Sequence, residues 1–300
     1  MNSKLDLRVQ LFGIWLSSPV IVASGTYGTK EFSAIRGFDP RRLGAQVTKG
    51  ITKDGRKGNP QPRTVETEGG MVNSIGLEGQ SAEVVIKEKI PFLAEFGPVI
   101  VNVSGFSVQE YVDLAMLLNN VAGVSALEVN VSCPNIHSGG NTPFGATPEA
   151  VAEVVAAIRP VTSLPLIVKL TPNVKEIAPI AVAAQDAGAD AISLINTVKA
   201  PLVGERVGGL SGPPIKQIAL RMIREVAEKV NVPIIGMGGI STLEDVLEFL
   251  RAGAAIVAIG TANFRNPLIM MELLDQLEEF CRQNKLADYQ QLIAFIRKRS

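Results

Sequence analysis

The stretch "LEVNVSCPNIHSGG" (Leu127–Gly140) places Cys133, one of two cysteines in the chain, and His137, its only histidine, directly after an apolar run. A cysteine there could be buried filler, a metal ligand, half of a disulfide or a reactive thiol. Two cysteines are too few for a disulfide framework or for a cysteine-rich zinc or iron–sulfur site. Cys281 lies in the helical pattern "LEEFCRQN" and reads as structural. A reactive thiol needs neighbours, and other apolar runs end in the same polar manner. In chain order their ends carry Ser24, Thr48 and Lys49, Asn102 and Ser104, Asn130 and Ser132, Lys169, Asn196 and Thr197, then Gly238 with Gly239 and Gly260 with Thr261. Singly, a lysine at a strand end is solvated and an asparagine makes a turn. Together, three asparagines and two lysines converging on one mouth favour a binding site.

The runs that must position these residues are "VIVASG" (Val20–Gly25), "AQVTKG" (Ala45–Gly50), "VIVNVSG" (Val99–Gly105), "LEVNVSCPN" (Leu127–Asn135), "LIVKLTPN" (Leu166–Asn173), "AISLINT" (Ala191–Thr197), "IIGMGGI" (Ile234–Ile240) and "AIVAIGTAN" (Ala255–Asn263). Their near-continuous hydrophobicity suits parallel strands covered on both faces, and helical segments separate them. Eight such units in sequence predict an α/β fold, a (β/α)8 TIM barrel whose site is built at the carboxyl ends of the strands. "TPEAVAEVVAAIRP" predicts a helix capped by Thr147, with Pro148 at its first position and a stop at Pro160. "STLEDVLEFLRAG" predicts a second, capped by Ser241, with Glu244 three residues on and Gly253 beyond its end. "LRVQLFGIWLSSP" reads as an N-terminal hairpin on the barrel floor, and long insertions over the C-terminal face follow the second run (50–80) and the sixth (198–212). No linker or low-complexity tract interrupts the chain, so residues 1–300 are expected to form a single domain.

Composition removes several function classes. With 300 residues, 46% of them hydrophobic, the chain can bury a large core. Lysine plus arginine (29) balances aspartate plus glutamate (29), so no basic face for nucleic acid or anionic lipid is expected. The start "MNSKLDLRVQLF" has no apolar signal core and no uncharged run is long enough to span a bilayer, which leads us to expect a cytoplasmic protein with no membrane attachment and no metal site. "GMGGIST" and "GTANFRNP" put bare backbone after the last two runs, where barrels often bind phosphate. "GMGG" is an incomplete dinucleotide fingerprint, so a flavin mononucleotide suits the barrel better than a nicotinamide dinucleotide.

"NVSCPN", the loop "VNSIGLEG" (Val72–Gly79), "VTKG", "IVKLTPN", "GMGGI" and "IGTA" together resemble the dihydroorotate dehydrogenases, FMN enzymes of de novo pyrimidine (UMP) biosynthesis, over nearly the whole chain. Within that family "SCPNIHSGG" is similar to the catalytic chain of the NAD-dependent type, class 1B. The resemblance implies that (S)-dihydroorotate is oxidised to orotate by loss of a hydride to FMN and of a proton to Cys133. A free thiol has a pKa of about 8.5, so its surroundings or a higher pH must supply the thiolate. His137 belongs to the loop over the site and is a secondary candidate. The resemblance also implies flavin contacts from Ser24, Thr48, Lys49, Asn102, Asn130, Lys169, Ile195, Gly212, Gly238, Gly239, Gly260 and Thr261. Lys169 there would favour the negative charge of reduced flavin by Coulomb attraction. Substrate contacts are implied for Lys49, Asn73, Asn130, Asn196 and Thr197, with Ser74, Ile75, Gly76 and Leu77 holding the carboxylate end.

For this type the resemblance implies a partner subunit carrying FAD and a 2Fe–2S cluster, NAD as final acceptor, and a homodimer flanked by partners in a heterotetramer. Other readings stay open. A lone fumarate-dependent homodimer and a dihydrouracil dehydrogenase share the chemistry; a Schiff-base aldolase would use Lys169 or Lys49 as nucleophile, and a non-catalytic flavin or phosphate binder would use none of it.

Overall fold

The computed structural model describes residues 5–27, 33–132, 137–138, 142–204 and 206–298, with backbone alone at 137, 138 and 142. All eight apolar runs contain strands: β1 (Val20–Val22), β2 (Gln46–Val47), β3 (Val99–Val103), β4 (Val124–Asn130), β5 (Leu166–Lys169), β6 (Ala191–Leu194), β7 (Ile234–Met237) and β8 (Ile256–Ile259). They form one sheet in the order β1-β8-β7-β6-β5-β4-β3-β2, every ladder parallel. Gly44 N–H donates to Val20 O at 2.8 Å across the remaining seam between β1 and β2, so the barrel is nearly closed. Residues of β3 and of β5 to β8 are buried without alternation. That is why these strands read as solid apolar runs: helices cover one face and the barrel interior the other.

Helices α1 (Val108–Leu118), α2 (Pro148–Ile158), α3 (Ala178–Asp186), α4 (Lys216–Ala227) and α5 (Leu243–Arg251) follow β3 to β7 in turn. After β8 come α6 (Ala262–Arg265), α7 (Ile269–Gln283) and α8 (Tyr289–Arg297). None of the described helices is long and apolar enough to cross a membrane. The expected hairpin pairs Val9–Leu11 with Ile14–Leu16 in antiparallel register.

Helix α2 begins as the sequence predicts, with the Thr147 hydroxyl accepting from Ala150 N–H at 3.3 Å and Pro148 in the first turn. Helix α5 does not. Its cap is Thr242 rather than Ser241, and the reciprocal partner is Asp245 rather than Glu244. Ser241 instead donates from both N–H and Oγ to Asp245 Oδ2, at 2.8 and 3.2 Å. The two starts differ by one residue, and the loop geometry leaving β7 decides which hydroxyl faces the open N–H groups. Gly253 closes the helix with a φ of +119°, as expected. We expect Thr242→Ala to cost about 1 kcal/mol, read as a lower urea midpoint at unchanged slope, and Ser241→Ala to cost less. A larger loss from the serine variant would return the capping role to Ser241.

The two long insertions form one structure. Strands Thr64–Thr67 and Gly70–Asn73 from the first pair with Val198–Pro201 and Val207–Ser211 from the second in a four-stranded antiparallel sheet. Its central ladder sets Asn73 opposite Gly209 and Met71 opposite Ser211. This flap carries residues of both insertions to the mouth of the barrel.

Candidate active site

A cavity of about 750 Å³ opens at the carboxyl ends of the strands. The ends of all the barrel strands except β3 supply distinct parts of its wall. Ser24 and Gly25 follow β1, Lys49 and Gly50 follow β2, Asn130 ends β4 and Lys169 ends β5. Ile195, Asn196 and Thr197 follow β6, Gly238 and Gly239 follow β7, and Gly260 and Thr261 follow β8. Asn73, Ser74, Ile75, Gly76 and Leu77 come down from the flap, and Gly212 closes the wall behind Ser211. Thr48 and Asn102, also expected at the flavin, are buried and do not line the cavity. The Thr48 hydroxyl accepts from Asn102 N–H at 3.0 Å, so both act from beneath the floor.

Parallel register brings the polar floor together, because Lys169 lies opposite Asn130 on one side and Ser193 on the other. A chain of hydrogen bonds then runs through it. Asn102 Nδ2 donates to Glu128 Oε2 at 2.5 Å, and Asn130 Nδ2 donates to Asn102 Oδ1 at 3.4 Å. Asn130 Oδ1 accepts from Ser132 N–H at 3.2 Å and from Ser132 Oγ at 2.6 Å, and Ser132 Oγ accepts from Asn196 Nδ2 at 2.7 Å. A carboxylate accepts only and a backbone N–H donates only, so the amides between them have a fixed sense. Tyr111, buried on α1, donates from its hydroxyl to Asn130 O at 2.8 Å and pins the end of β4. The importance of Glu128 was missed from sequence, although a charged residue inside the apolar run "LEVNV" is a signal for it.

The loop after Asn73 is held from outside. Asn59 Nδ2 donates to Ser74 O at 3.0 Å and to Ser74 Oγ at 2.9 Å, while Arg56 Nε donates to Gly76 O at 3.2 Å. Gly76 has a φ of +72°, and a Cβ on it would lie 2.4 Å from Asn59 Oδ1, so this turn needs glycine. Asn173 donates to Thr197 O at 2.9 Å and accepts from Lys199 N–H at 2.8 Å, fixing Thr197 beside the flap.

Three lysines line the cavity: the exposed Lys199 on the flap, Lys49 and Lys169. Lys169 is buried, with Glu128 Oε2 at 3.9 Å. Lys49 keeps 42% of its side chain exposed and lies 3.7 Å from Glu78 Oε2, and Glu78 is itself bound by Arg63 at 2.7 Å. Burial pushes the Lys49 pKa down; the Glu78 carboxylate opposes this, while Arg63 and Lys89 add to it.

Opposite, Gly239 has a φ of +84°, and a Cβ there would lie 2.9 Å from both Gly212 O and the Lys216 Cβ. With Gly238, Gly260 and Thr261 beside it, this wall is bare backbone of the kind that accepts a phosphate. The cavity volume is within the range of about 300 to 1,000 Å³ typical of cofactor sites, and its wall combines a glycine cradle, a buried cation and amide groups. These features fit a flavin mononucleotide together with a small acid.

Cys133 lies outside the described residues, as does the side chain of His137. Cys281 is buried in α7, and burial pushes its thiol up to about 11, as suits a structural cysteine. Among the described residues no group of three or more His, Cys, Asp or Glu side chains is arranged to hold a metal ion.

Comparison with known proteins adds independent findings. The family model described as dihydroorotate dehydrogenase matches residues 6–281. A curated relative from Geotalea uraniireducens, named dihydroorotate dehydrogenase B (NAD(+)), catalytic subunit, is 47% identical over 301 residues, covering 97% of this chain and 98% of the relative. One of the same name from Caldicellulosiruptor saccharolyticus is 45% identical over 303 residues, covering 97% and 99%. A third, from Alkaliphilus oremlandii, is 46% identical over 302 residues, covering 97% and 99%.

Proposed function

The chain belongs to the dihydroorotate dehydrogenase family, and on that premise we propose that it oxidises (S)-dihydroorotate to orotate in pyrimidine biosynthesis, as the catalytic subunit of an NAD-dependent enzyme. The observation that carries this reading is the cavity at the strand ends, whose wall joins the glycine cradle to Lys49, Lys169 and the amide-lined floor. FMN bound there would supply the two-electron acceptor. Gly212, Gly238, Gly239, Gly260 and Thr261 would hold its phosphate, with Ser24, Lys49, Asn130, Lys169 and Ile195 along the rest of the wall and Thr48 and Asn102 supporting from below.

The substrate is a ring with alternating N–H and C=O groups and one carboxylate. Asn196 spends an N–H on Ser132 and Asn73 spends one on Gly209 O at 3.4 Å, which leaves each Oδ1 to accept from a ring N–H. Lys49 and the loop from Ser74 to Leu77 receive the carboxylate. Cys133 takes the proton leaving the ring carbon next to the one that loses the hydride. Ser132, its neighbour in sequence, instead links the floor, its hydroxyl donating to Asn130 and accepting from Asn196. A single barrel domain carrying one FMN, paired as a homodimer with an FAD and 2Fe–2S partner in a cytoplasmic heterotetramer, completes the proposal.

The decisive experiment is the visible spectrum of the purified chain before and after anaerobic dihydroorotate. Flavin absorbance that bleaches with dihydroorotate and not with dihydrouracil is the expected result; folded protein that takes up no FMN would end the reading. A second measurement concerns Lys49. Its lowered pKa means that the ammonium loses its charge at a lower pH than an exposed lysine, so orotate affinity should weaken early on the alkaline side. Lys49→Arg keeps its charge and should carry that limb to higher pH, followed by perturbation of the flavin spectrum. An unmoved limb would assign the ionisation elsewhere.

A further inference from the structure

Glu128 takes no part in the steps above, yet a carboxylate 4% exposed inside an apolar strand is costly to keep. Both its oxygens are occupied by neutral donors: Oε1 accepts from Ser193 Oγ at 2.8 Å and Oε2 from Asn102 Nδ2 at 2.5 Å. Those donors sit on β6 and β3, so the carboxylate is fixed between three strands. Lys169 Nζ lies 3.9 Å from Oε2, beyond hydrogen-bond reach, and its side chain is 7% exposed. The Lys169 ammonium makes no hydrogen bond among the described residues, and Glu128 is its ion-pair partner. Lys169 lines the cavity and Glu128 does not, so the positive end of the pair faces the ligand.

We infer that Glu128 is a positioning residue acting through Lys169: held back from closing on the ammonium, it offsets part of the positive charge presented to the cavity, and so sets the reduction potential of the bound flavin. The inference rests on the reading of the cavity as an FMN site. The physical balance is between two charges. The ammonium favours the negative charge that reduction places on the ligand, and the carboxylate behind it opposes that charge from farther away. Were the carboxylate free to swing onto Nζ, the pair would close on itself and the ammonium would turn from the cavity. Asn102, which holds the carboxylate oxygen facing Nζ, prevents this.

The test uses FMN holoenzyme and reads the midpoint potential by anaerobic titration against reference dyes, at one fixed pH. Glu128→Gln removes the opposing charge and leaves the shape. It should raise the preference for reduced over oxidised flavin at least tenfold, about 30 mV for a two-electron couple. Ser193→Ala removes a contact of the same carboxylate without removing charge, and should stay within threefold of the wild type. Glu128→Asp draws the charge back from Nζ by one methylene; it should shift the potential in the same direction by less, and it carries the test if the glutamine variant does not fold. A potential at or below the wild-type value in the Glu128 variants overturns the inference, as does an equal shift in Ser193→Ala. Wild-type chain that binds no FMN would instead overturn the cofactor reading on which it rests.

Discussion

Cys133→Ala should retain FMN and dihydroorotate but lose reductive rate by a factor of about 10² to 10⁴, the usual contribution of a positioned general base. Removing a base acts on the transition state and leaves ground-state contacts in place, so the loss should fall on the rate of flavin bleaching with little change in substrate affinity. Those contacts are proposed for Lys49, Asn73, Asn196 and the loop from Ser74 to Leu77, all of which line the cavity. Cys133→Ser should also be slow, because a hydroxyl is far harder to deprotonate than a thiol of pKa about 8.5. The wild-type rate should rise with pH through a thiol ionisation, and this limb should vanish in the alanine variant. Anaerobic stopped-flow absorbance across pH measures both. Near-normal bleaching by Cys133→Ala at neutral pH would transfer the base role, with His137 next to be tested.

The second large effect concerns the exit of electrons. The isolated chain with FMN should reduce artificial dyes at a useful rate and NAD hardly at all, and a partner carrying FAD and a 2Fe–2S cluster should restore NAD reduction. An all-cysteine cluster needs four thiolates, and this chain has two cysteines, of which Cys281 is buried in α7. The glycines after β7 follow no complete dinucleotide fingerprint and are expected to hold the FMN phosphate. Electrons taken from the substrate must therefore cross an interface or leave with a small acceptor entering the same mouth. The three relatives described above, at 45–47% identity, are named as catalytic subunits of an NAD-dependent enzyme, which supports the interface. Steady-state assays with dye, NAD and fumarate, each with and without the partner, separate these routes. Efficient fumarate reduction by the chain alone, with no gain from the partner, would assign it to the lone homodimeric type.

Much of the architecture is legible one segment at a time. Strands β3 and β5 to β8 are buried on both faces, so the hydrophobic run and its polar end are written locally. The N-terminal hairpin and the Thr147 cap are local in the same sense. The types of residue at the strand ends indicate a ligand site before any coordinates, since Lys49, Asn130, Lys169 and Asn196 end separate runs and need only a common barrel to converge. What depends on distance in space is not legible in this way. The insertions at 50–80 and 198–212 read as two loops, yet Asn73 pairs with Gly209 across more than a hundred residues to make one flap. The cap of α5 moved from Ser241 to Thr242 because the path of the loop, rather than the residue type, aims the hydroxyl. Glu128 stands out in sequence only as a charge in an apolar strand. Its partners Asn102, Lys169 and Ser193 come from three other strands, and the register of parallel ladders brings them together. Local burial patterns thus determine the elements and the inventory of the site, whereas the sense of each buried amide and the balance of its charges arise from ladder register, which no single segment contains.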